Sequence, residues 1–206
     1  MKVVAVSQRV DVYPDRNERR DALDQRLCEW LVVAGYVPVP VPNGLKATMQ
    51  TESCQDGDEL RIWLNTLKPS AVILSGGNDI GEAIERDNTE RQLLAYAQDK
   101  SMPLLGICRG MQMMAVWAGG ELKPVIGHTR TRHELRGELV GEVNSFHNYS
   151  LAACPAGFVV TAMAEDGCIE AIRHENFAWE GWMWHPEHEA NFQSRDTHRL
   201  RRLFGE

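Results

Sequence analysis

Apolar positions in this chain fall into two repeating patterns, short continuous runs and helical spacings, and the two alternate. Lys2 to Ser7 is a run of the kind a strand needs when both of its faces are covered. Leu23, Leu27, Trp30 and Leu31 then fall at i, i+4, i+7 and i+8, the apolar face of a helix that Ala34-Gly35 ends. Val37 to Val41 reads as a proline-interrupted edge strand. Leu60, Leu64 and Leu67 mark a second helix with Asp58 as its cap. Ala71 to Leu74 is another buried run, closed by a Ser75-Gly76-Gly77 turn. A helix from Thr89 to Lys100 leads past Pro103 into the run Leu104 to Ile107, then Cys108, then a helix from Arg109 to Ala118.

This is βαβα order, which predicts an α/β fold: a mostly parallel central sheet flanked by helices, with its ligand site at the carboxyl ends of the strands. Beyond Gly119-Gly120 the pattern changes. Glu142 to Ser145 and Phe158 to Ala164 read as strands, and Asp166-Gly167 is a hairpin signal before Ile169 to Ile172. An antiparallel β portion in the second half follows. Gly181 to Trp184 is one more strand, ending at His185, and Asp196 to Phe204 a terminal helix.

Composition narrows the class. The 206 residues, 43% hydrophobic and 25% charged, suit a single globular domain over residues 1–206 and neither a disordered nor a fibrous chain. A net charge of -7 offers no broad basic face, so no nucleic-acid partner is expected. No segment has the length and apolarity of a membrane span, and Val3 to Val6 is too short for a secretory core, which points to the cytoplasm and to no membrane partner. Five cysteines (Cys28, Cys54, Cys108, Cys154 and Cys168) without a CxxC pair fit reduced thiols rather than a disulfide framework or zinc ribbon.

One of those thiols has distinctive surroundings. In Leu104-Leu105-Gly106-Ile107-Cys108-Arg109-Gly110-Met111-Gln112 a strand runs into a helix, with glycines two before and two after Cys108. Such a nucleophile elbow exposes the sulfur at a strand end beside a helix N-terminus, whose dipole favours the thiolate. The glycines are expected to let the backbone turn sharply. The competing reading is a small core cysteine in an apolar run. His185-Pro186-Glu187 shifts the balance: His185 can take a proton from Cys108 while Glu187, two residues on, orients the ring. A metal pair of His185 and His188 is the weaker reading, because Pro186 spoils helical ligation and no third ligand has helpful spacing.

Four pieces in order resemble the class I glutamine amidotransferases and their peptidase C26 hydrolase relatives. They are Ile73-Leu74-Ser75-Gly76-Gly77-Asn78-Asp79, Gly106 to Gln112, Val143-Asn144-Ser145-Phe146-His147, and Trp184-His185-Pro186-Glu187. The resemblance covers essentially the whole chain and implies a flavodoxin-like fold with a triad of Cys108, His185 and Glu187. It implies backbone oxyanion donors at Gly77 and Arg109, whose side chains matter less. Gln112 would meet the α-amino and carboxylate end of a glutamyl group, and backbone from Phe146, Asn148 and Tyr149 would close that pocket, with His147 nearby. The residues alone leave Gln112 as a solvated helix position and 145–149 as an ordinary strand-to-loop junction. No metal and no cofactor are needed by such a triad, since the thiolate is the nucleophile and backbone amides stabilise the oxyanion.

The resemblance implies a small-molecule γ-glutamyl substrate. Ser7-Gln8-Arg9-Val10, Arg19 to Asp24, Val143 to Tyr149 and Glu165 to Ala171 are similar to enzymes acting on γ-glutamyl-CDP-amidate, a nucleotide phosphoramidate used in surface-polysaccharide decoration. γ-Glutamyl-γ-aminobutyrate hydrolysis, and a glutaminase component that supplies ammonia, are the alternatives. A binding module with a dead site would lack a triad member, and none is missing; an α/β-hydrolase would place its acid far before its histidine. Arg9, Arg16, Arg19, Arg20 and Arg109 stand where guanidinium groups could pair with a diphosphate, Arg9 being favoured because it follows the first strand, whereas Arg16, Arg19 and Arg20 read equally as a solvated helix face.

Overall fold

The computed structural model describes residues 1–45 and 58–205; Cys54 lies outside the described residues. From the N-terminus, β1 (Lys2–Val6) is followed by a hairpin of β2 (Arg9–Tyr13) and β3 (Glu18–Ala22), then α1 (Gln25–Val33) and β4 (Tyr36–Pro40). Next come α2 (Glu59–Leu67), β5 (Ala71–Leu74), α3 (Ile84–Asp99), β6 (Leu104–Ile107) and α4 (Arg109–Trp117). The second half adds β7 (Leu122–Pro124), β8 (Thr129–Gly137), β9 (Gly141–Phe146), β10 (Tyr149–Leu151), β11 (Phe158–Met163), β12 (Ile169–His174), β13 (Trp179–Trp182) and α5 (Ser194–Leu203).

Among the described residues nine strands form one sheet in the order β4-β1-β5-β6-β13-β12-β11-β8-β9. Neighbours from β4 through β13 pair in parallel, and those from β13 to β9 antiparallel. The apolar runs are explained by this order: Ala71 to Leu74 and Leu104 to Ile107 are buried on both faces. Successive residues feed opposite layers. Val4, Ile73, Leu105 and Trp182 pack with Leu27, Trp30 and Leu31 of α1 and Leu200 of α5. Ala5, Val72 and Leu104 pack with Leu64 of α2, Leu93 of α3 and Met114 of α4. Pro38 and Pro40 sit on β4 at the sheet edge, where a missing N–H breaks no ladder on the open side.

Several boundaries differ from expectation. Helix α3 begins at Ile84 rather than near Thr89, and its buried face carries Arg86, Asp87 and Glu90, so apolar periodicity was blind to its first turn. β13 ends at Trp182, two residues short of the expected strand end. The segment expected to be the approach to a helix, with Arg16, Arg19 and Arg20 on a solvated helix face, is instead the β2–β3 hairpin. Arg16 lies in its connecting turn, Arg19 pairs with Glu85, and Arg20 pairs with Glu18 at 2.7 Å.

The elbow itself differs in its cause. Cys108, not a flanking glycine, takes the left-handed backbone, at φ 51° and ψ −106°. Holding a non-glycine residue in so sparsely populated a region costs about 1–3 kcal/mol. The glycines serve close packing of α4 on the sheet: a Cβ at Gly106 would stand 2.7 Å from the Met111 nitrogen, and one at Gly110 only 2.1 Å from the Leu74 carbonyl oxygen. Gly110→Ala therefore forces backbone apart and is expected to cost about 3 kcal/mol or more in urea-induced unfolding. A loss below about 1 kcal/mol would show that α4 can lift off the sheet freely.

Candidate active site

The carboxyl ends of β1, β5, β6 and β13 open into one cleft of about 460 Å³, lined by Arg9, Gly76, Gly77, Cys108, Arg109, Gln112, Phe146, His147, Asn148, His185 and Glu187 among others. Parallel strands place these residues together because each chain segment leaves the sheet on the same side. Cys108 caps the N-terminus of α4, and its own N–H donates to the Trp182 carbonyl at 2.7 Å, tying the elbow to the strand that leads to His185. Gly76 makes room for the imidazole: a Cβ there would lie 2.5 Å from His185 Cε1.

His185 is 6% exposed and held from three sides. Its Nδ1 lies 2.7 Å from Glu187 Oε1. Its backbone N–H donates to Asn144 Oδ1 at 2.9 Å, and its carbonyl accepts from Asn144 Nδ2 at 2.7 Å. Arg26 donates to the carbonyls of Glu187 and Glu189, fixing the 3-10 turn that carries the acid. Burial alone would lower the imidazole; the neighbouring Glu187 and Cys108 outweigh it and raise His185 well above the ordinary histidine range. His188 stacks on His185 with ring centroids 4.3 Å apart, and its Nε2 is 3.3 Å from Asp24. Ligand atoms of His185, Glu187 and His188 lie within 4.8 Å of one another, so Glu187 supplies the third donor that sequence spacing did not show, while Nδ1 of His185 is engaged by Glu187 itself.

Gln112 faces the cleft, but its Nε2 donates to the Tyr149 carbonyl at 2.9 Å. Tyr149 thus differs from expectation: it is absent from the cleft lining, and its carbonyl positions Gln112 and lies 3.0 Å from His147 Nδ1. The Arg109 guanidinium is likewise not available to a ligand. It is buried, paired with Asp87 and Glu90, and donates to the Asn78 carbonyl at 3.2 Å. Arg9 remains on the cleft wall, half exposed, with Asp11 at 2.8 Å.

The match to known proteins follows this geometry. Residues 41–204 match the family described as glutamine amidotransferase class-I. The chain belongs to that family. It is 35% identical over 125 residues to a γ-glutamyl-CDP-amidate hydrolase of Campylobacter jejuni, covering 58% of this chain and 62% of that relative, so the match spans less than two thirds of its length. It is 34% identical over 145 residues to a glutamine-hydrolyzing GMP synthase subunit of Methanothrix thermoacetophila, covering 66% of this chain and 79% of that one. A Thermoplasma acidophilum structure provisionally described as a GMP synthase subunit superposes with TM-score 0.71 at 17% identity, over 100% of this chain and 94% of the other. A Thermotoga maritima glutamine amidotransferase gives 0.59, also at 17%, over 98% and 82%. Those two likenesses bear on the fold, the mostly parallel sheet flanked by helices. Among the described residues no helix is long and apolar enough to cross a membrane.

Sequence reasoning missed what lies beneath the elbow of this amidotransferase-family chain. Arg86 bonds Glu90 at 3.0 Å and donates to the carbonyls of Ser75 at 2.7 Å and Gly76 at 2.9 Å, so a buried guanidinium fixes the turn after β5. Ser7 Oγ completes the group by donating to Glu90 at 2.8 Å. Burial lowers Arg86 to about 10 and Arg109 to about 9, which leaves both charged at neutral pH. The available signal was Arg86-Asp87 and Glu90 at helical spacing, a charged stripe in a helix that must bury one face. Removing the shared carboxylate leaves two buried guanidiniums with one partner. Glu90→Ala is expected to destabilise the fold by about 3–5 kcal/mol, read by urea unfolding, and a change under about 1 kcal/mol would contradict this role.

Proposed function

We propose that this chain is a cysteine-dependent hydrolase of a γ-glutamyl amide, with Cys108 as nucleophile, His185 as proton carrier and Glu187 as its orienting carboxylate. The observation that carries the reading is the 2.7 Å contact of His185 Nδ1 with Glu187, on a ring that shares the cleft with a cysteine held at a strained elbow. The Cys108 thiolate attacks the γ-carbonyl carbon, and the N–H groups of Gly77 and Arg109 stabilise the oxyanion, at roughly 2.7–4 kcal/mol per donor. His185 gives its proton to the departing nitrogen. Water, deprotonated by His185, then opens the γ-glutamyl thioester, releasing glutamate and returning the thiol.

The raised imidazole has a direct consequence for the pH profile. A histidine whose pKa is raised keeps its proton to higher pH, so loss of the general acid, and with it the alkaline fall in kcat/KM, comes above the ordinary histidine range. Glu187 is the foremost of the groups that raise it. Cys108→Ala is expected to abolish turnover in a folded protein, and Glu187→Gln to lower kcat while moving the alkaline limb to lower pH. Turnover within tenfold of wild type in Cys108→Ala would overturn the nucleophile, and an unmoved limb in Glu187→Gln would remove the carboxylate from its role.

For the substrate we favour γ-glutamyl-CDP-amidate. Support comes from similarity to the Campylobacter relative and from Arg9 on the cleft wall, where a guanidinium can pair with a diphosphate. Arg16, Arg19, Arg20 and Arg109 no longer contribute to this argument. The likeness to a glutamine-hydrolyzing GMP synthase component supports a second reading, a glutaminase that passes ammonia to a partner. Side-by-side kcat/KM on γ-glutamyl-CDP-amidate, γ-glutamyl-γ-aminobutyrate and glutamine separates the readings, with the first expected to win. Arg9→Ala should raise KM for the nucleotide amide far more than for the aminobutyrate amide. Glutamine or the aminobutyrate amide ahead by tenfold would reverse the choice while leaving Cys108 untouched.

A further inference from the structure

Behind the cleft wall lies a second group of titratable side chains for which the hydrolysis has no use. His128 directly precedes β8, His133 lies on β8, His147 follows β9 and Glu170 lies on β12; each offers a donor atom, and the four atoms lie within 4.8 Å of one another. Glu170 is fully buried, and His128 and His147 are each 2% exposed. Neither Glu170 oxygen has a hydrogen-bond partner, and neither has Nε2 of His133. A buried carboxylate without partners is among the costliest arrangements a core can contain, so something must face it.

The outer nitrogens of two of the rings have partners that fix their protons. His147 Nδ1 lies 3.0 Å from the Tyr149 carbonyl, which can only accept. His128 Nε2 lies 2.8 Å from the Asp166 carboxylate. With the protons on those outer nitrogens, the neutral rings turn lone pairs on His128 Nδ1 and His147 Nε2 inward, 3.2 Å apart. Two facing lone pairs beside a bare carboxylate repel unless a proton or a cation stands between them. A single proton would satisfy the two nitrogens and set a charge 3.5 Å from Glu170 Oε1, yet both Glu170 oxygens would still lack a hydrogen bond.

The three distances, 3.2, 3.5 and 3.5 Å, outline a nearly equilateral triangle. A tetrahedron with metal–ligand bonds of about 2.0–2.1 Å has edges of about 3.3–3.4 Å, whereas adjacent ligands of an octahedron with bonds of about 2.1 Å stand about 3.0 Å apart. The triangle matches the tetrahedral face. Imidazole ligands whose far N–H is held by a carbonyl or carboxylate are the usual outer arrangement of a metal site. We propose that His128, His133, His147 and Glu170 bind a zinc ion in a closed tetrahedral site that pins β8, β12 and the β9–β10 connection together. His147 also lines the cleft, so the ion would fix one wall of the substrate site without touching the reacting atoms.

The test uses the full chain purified without a polyhistidine tag, both as wild type and with Cys108→Ala so that the cleft thiol cannot hold the metal. Elemental analysis is expected to find about one zinc per chain in both. Cobalt(II) added to chelator-stripped protein should give the strong visible bands of tetrahedral coordination, and zinc should raise the Tm of the stripped protein. Glu170→Gln and His128→Ala should each weaken zinc binding by about tenfold or more. No co-purified metal, with neither zinc nor cobalt altering the stripped wild type, would overturn the site and leave a proton shared between the histidines. Zinc held undiminished by folded Glu170→Gln and His128→Ala proteins would also overturn it, because the ion would then sit elsewhere.

Discussion

The cleft depends on a buried ion group, Arg86, Asp87, Glu90 and Arg109, lying directly beneath the turn after β5 and the first turn of α4. Each such charge gives up several kcal/mol of hydration on burial, a cost that only close pairing and full hydrogen bonding offset. The group offsets most of it by taking in neighbouring backbone, with Arg86 Nη1 alone left unbonded: Arg86 binds the carbonyls of Ser75 and Gly76, Arg109 binds that of Asn78, and Ser7 at the end of β1 reaches Glu90. Three adjacent parallel strands, β1, β5 and β6, are thus joined at their carboxyl ends through one set of charges. The backbone after Leu74 and the strained Cys108 hold their positions because the charges beneath them cannot move apart without becoming unpaired.

The antiparallel half contributes differently. Its strands extend the sheet past β13, and their links bring Phe146, His147 and Asn148 over the cleft from the side opposite the β2–β3 hairpin's Arg9. Asn144 is the joint between the halves: one buried amide both accepts from the His185 N–H and donates to its carbonyl, and its Nδ2 also lies 2.8 Å from Glu189. A leucine of similar size at this position would leave the His185 peptide groups without partners, which explains a buried amide at this position of β9.

What could be read from the sequence was whatever leaves a period or a motif. Buried strands such as Ala71 to Leu74 and helices such as α2, with Asp58 bonded to the Arg61 N–H, follow from apolar spacing and a cap. Cys108, His185 and Glu187 were legible because motif residues at strand ends must converge in a parallel sheet, and they line one cleft. The β2–β3 hairpin was not, since Glu18 to Ala22 has no apolar alternation and is held by cross-strand pairing and by Asp21 bonding the Asn43 backbone. The start of α3 was hidden because its inward face is ionic. The Tyr149 backbone and the Arg109 guanidinium were offered to the ligand because a motif shows which residues gather but not which of their groups are already bonded to each other.

That last distinction also separates the two histidine clusters. At His185 the ring and its backbone are held by protein partners, Glu187 Oε1 at Nδ1 and Asn144 on the backbone, although Glu187 Oε2 has no hydrogen-bond partner of its own. The proposed hydrolysis uses that ring for proton transfer. At His128, His147 and Glu170 the reverse holds, with the outer nitrogens bonded, the inner ones only 3.2 Å from each other, and both Glu170 oxygens without a hydrogen-bond partner. A set of side chains arranged in that way has low energy only when a positive charge occupies its centre, because otherwise the cost of a desolvated carboxylate goes unmet. In the two proposed roles the same residue types would therefore do opposite work, proton transfer in the cleft and cation binding behind it, and the difference lies in which ring nitrogen the surrounding groups have already claimed.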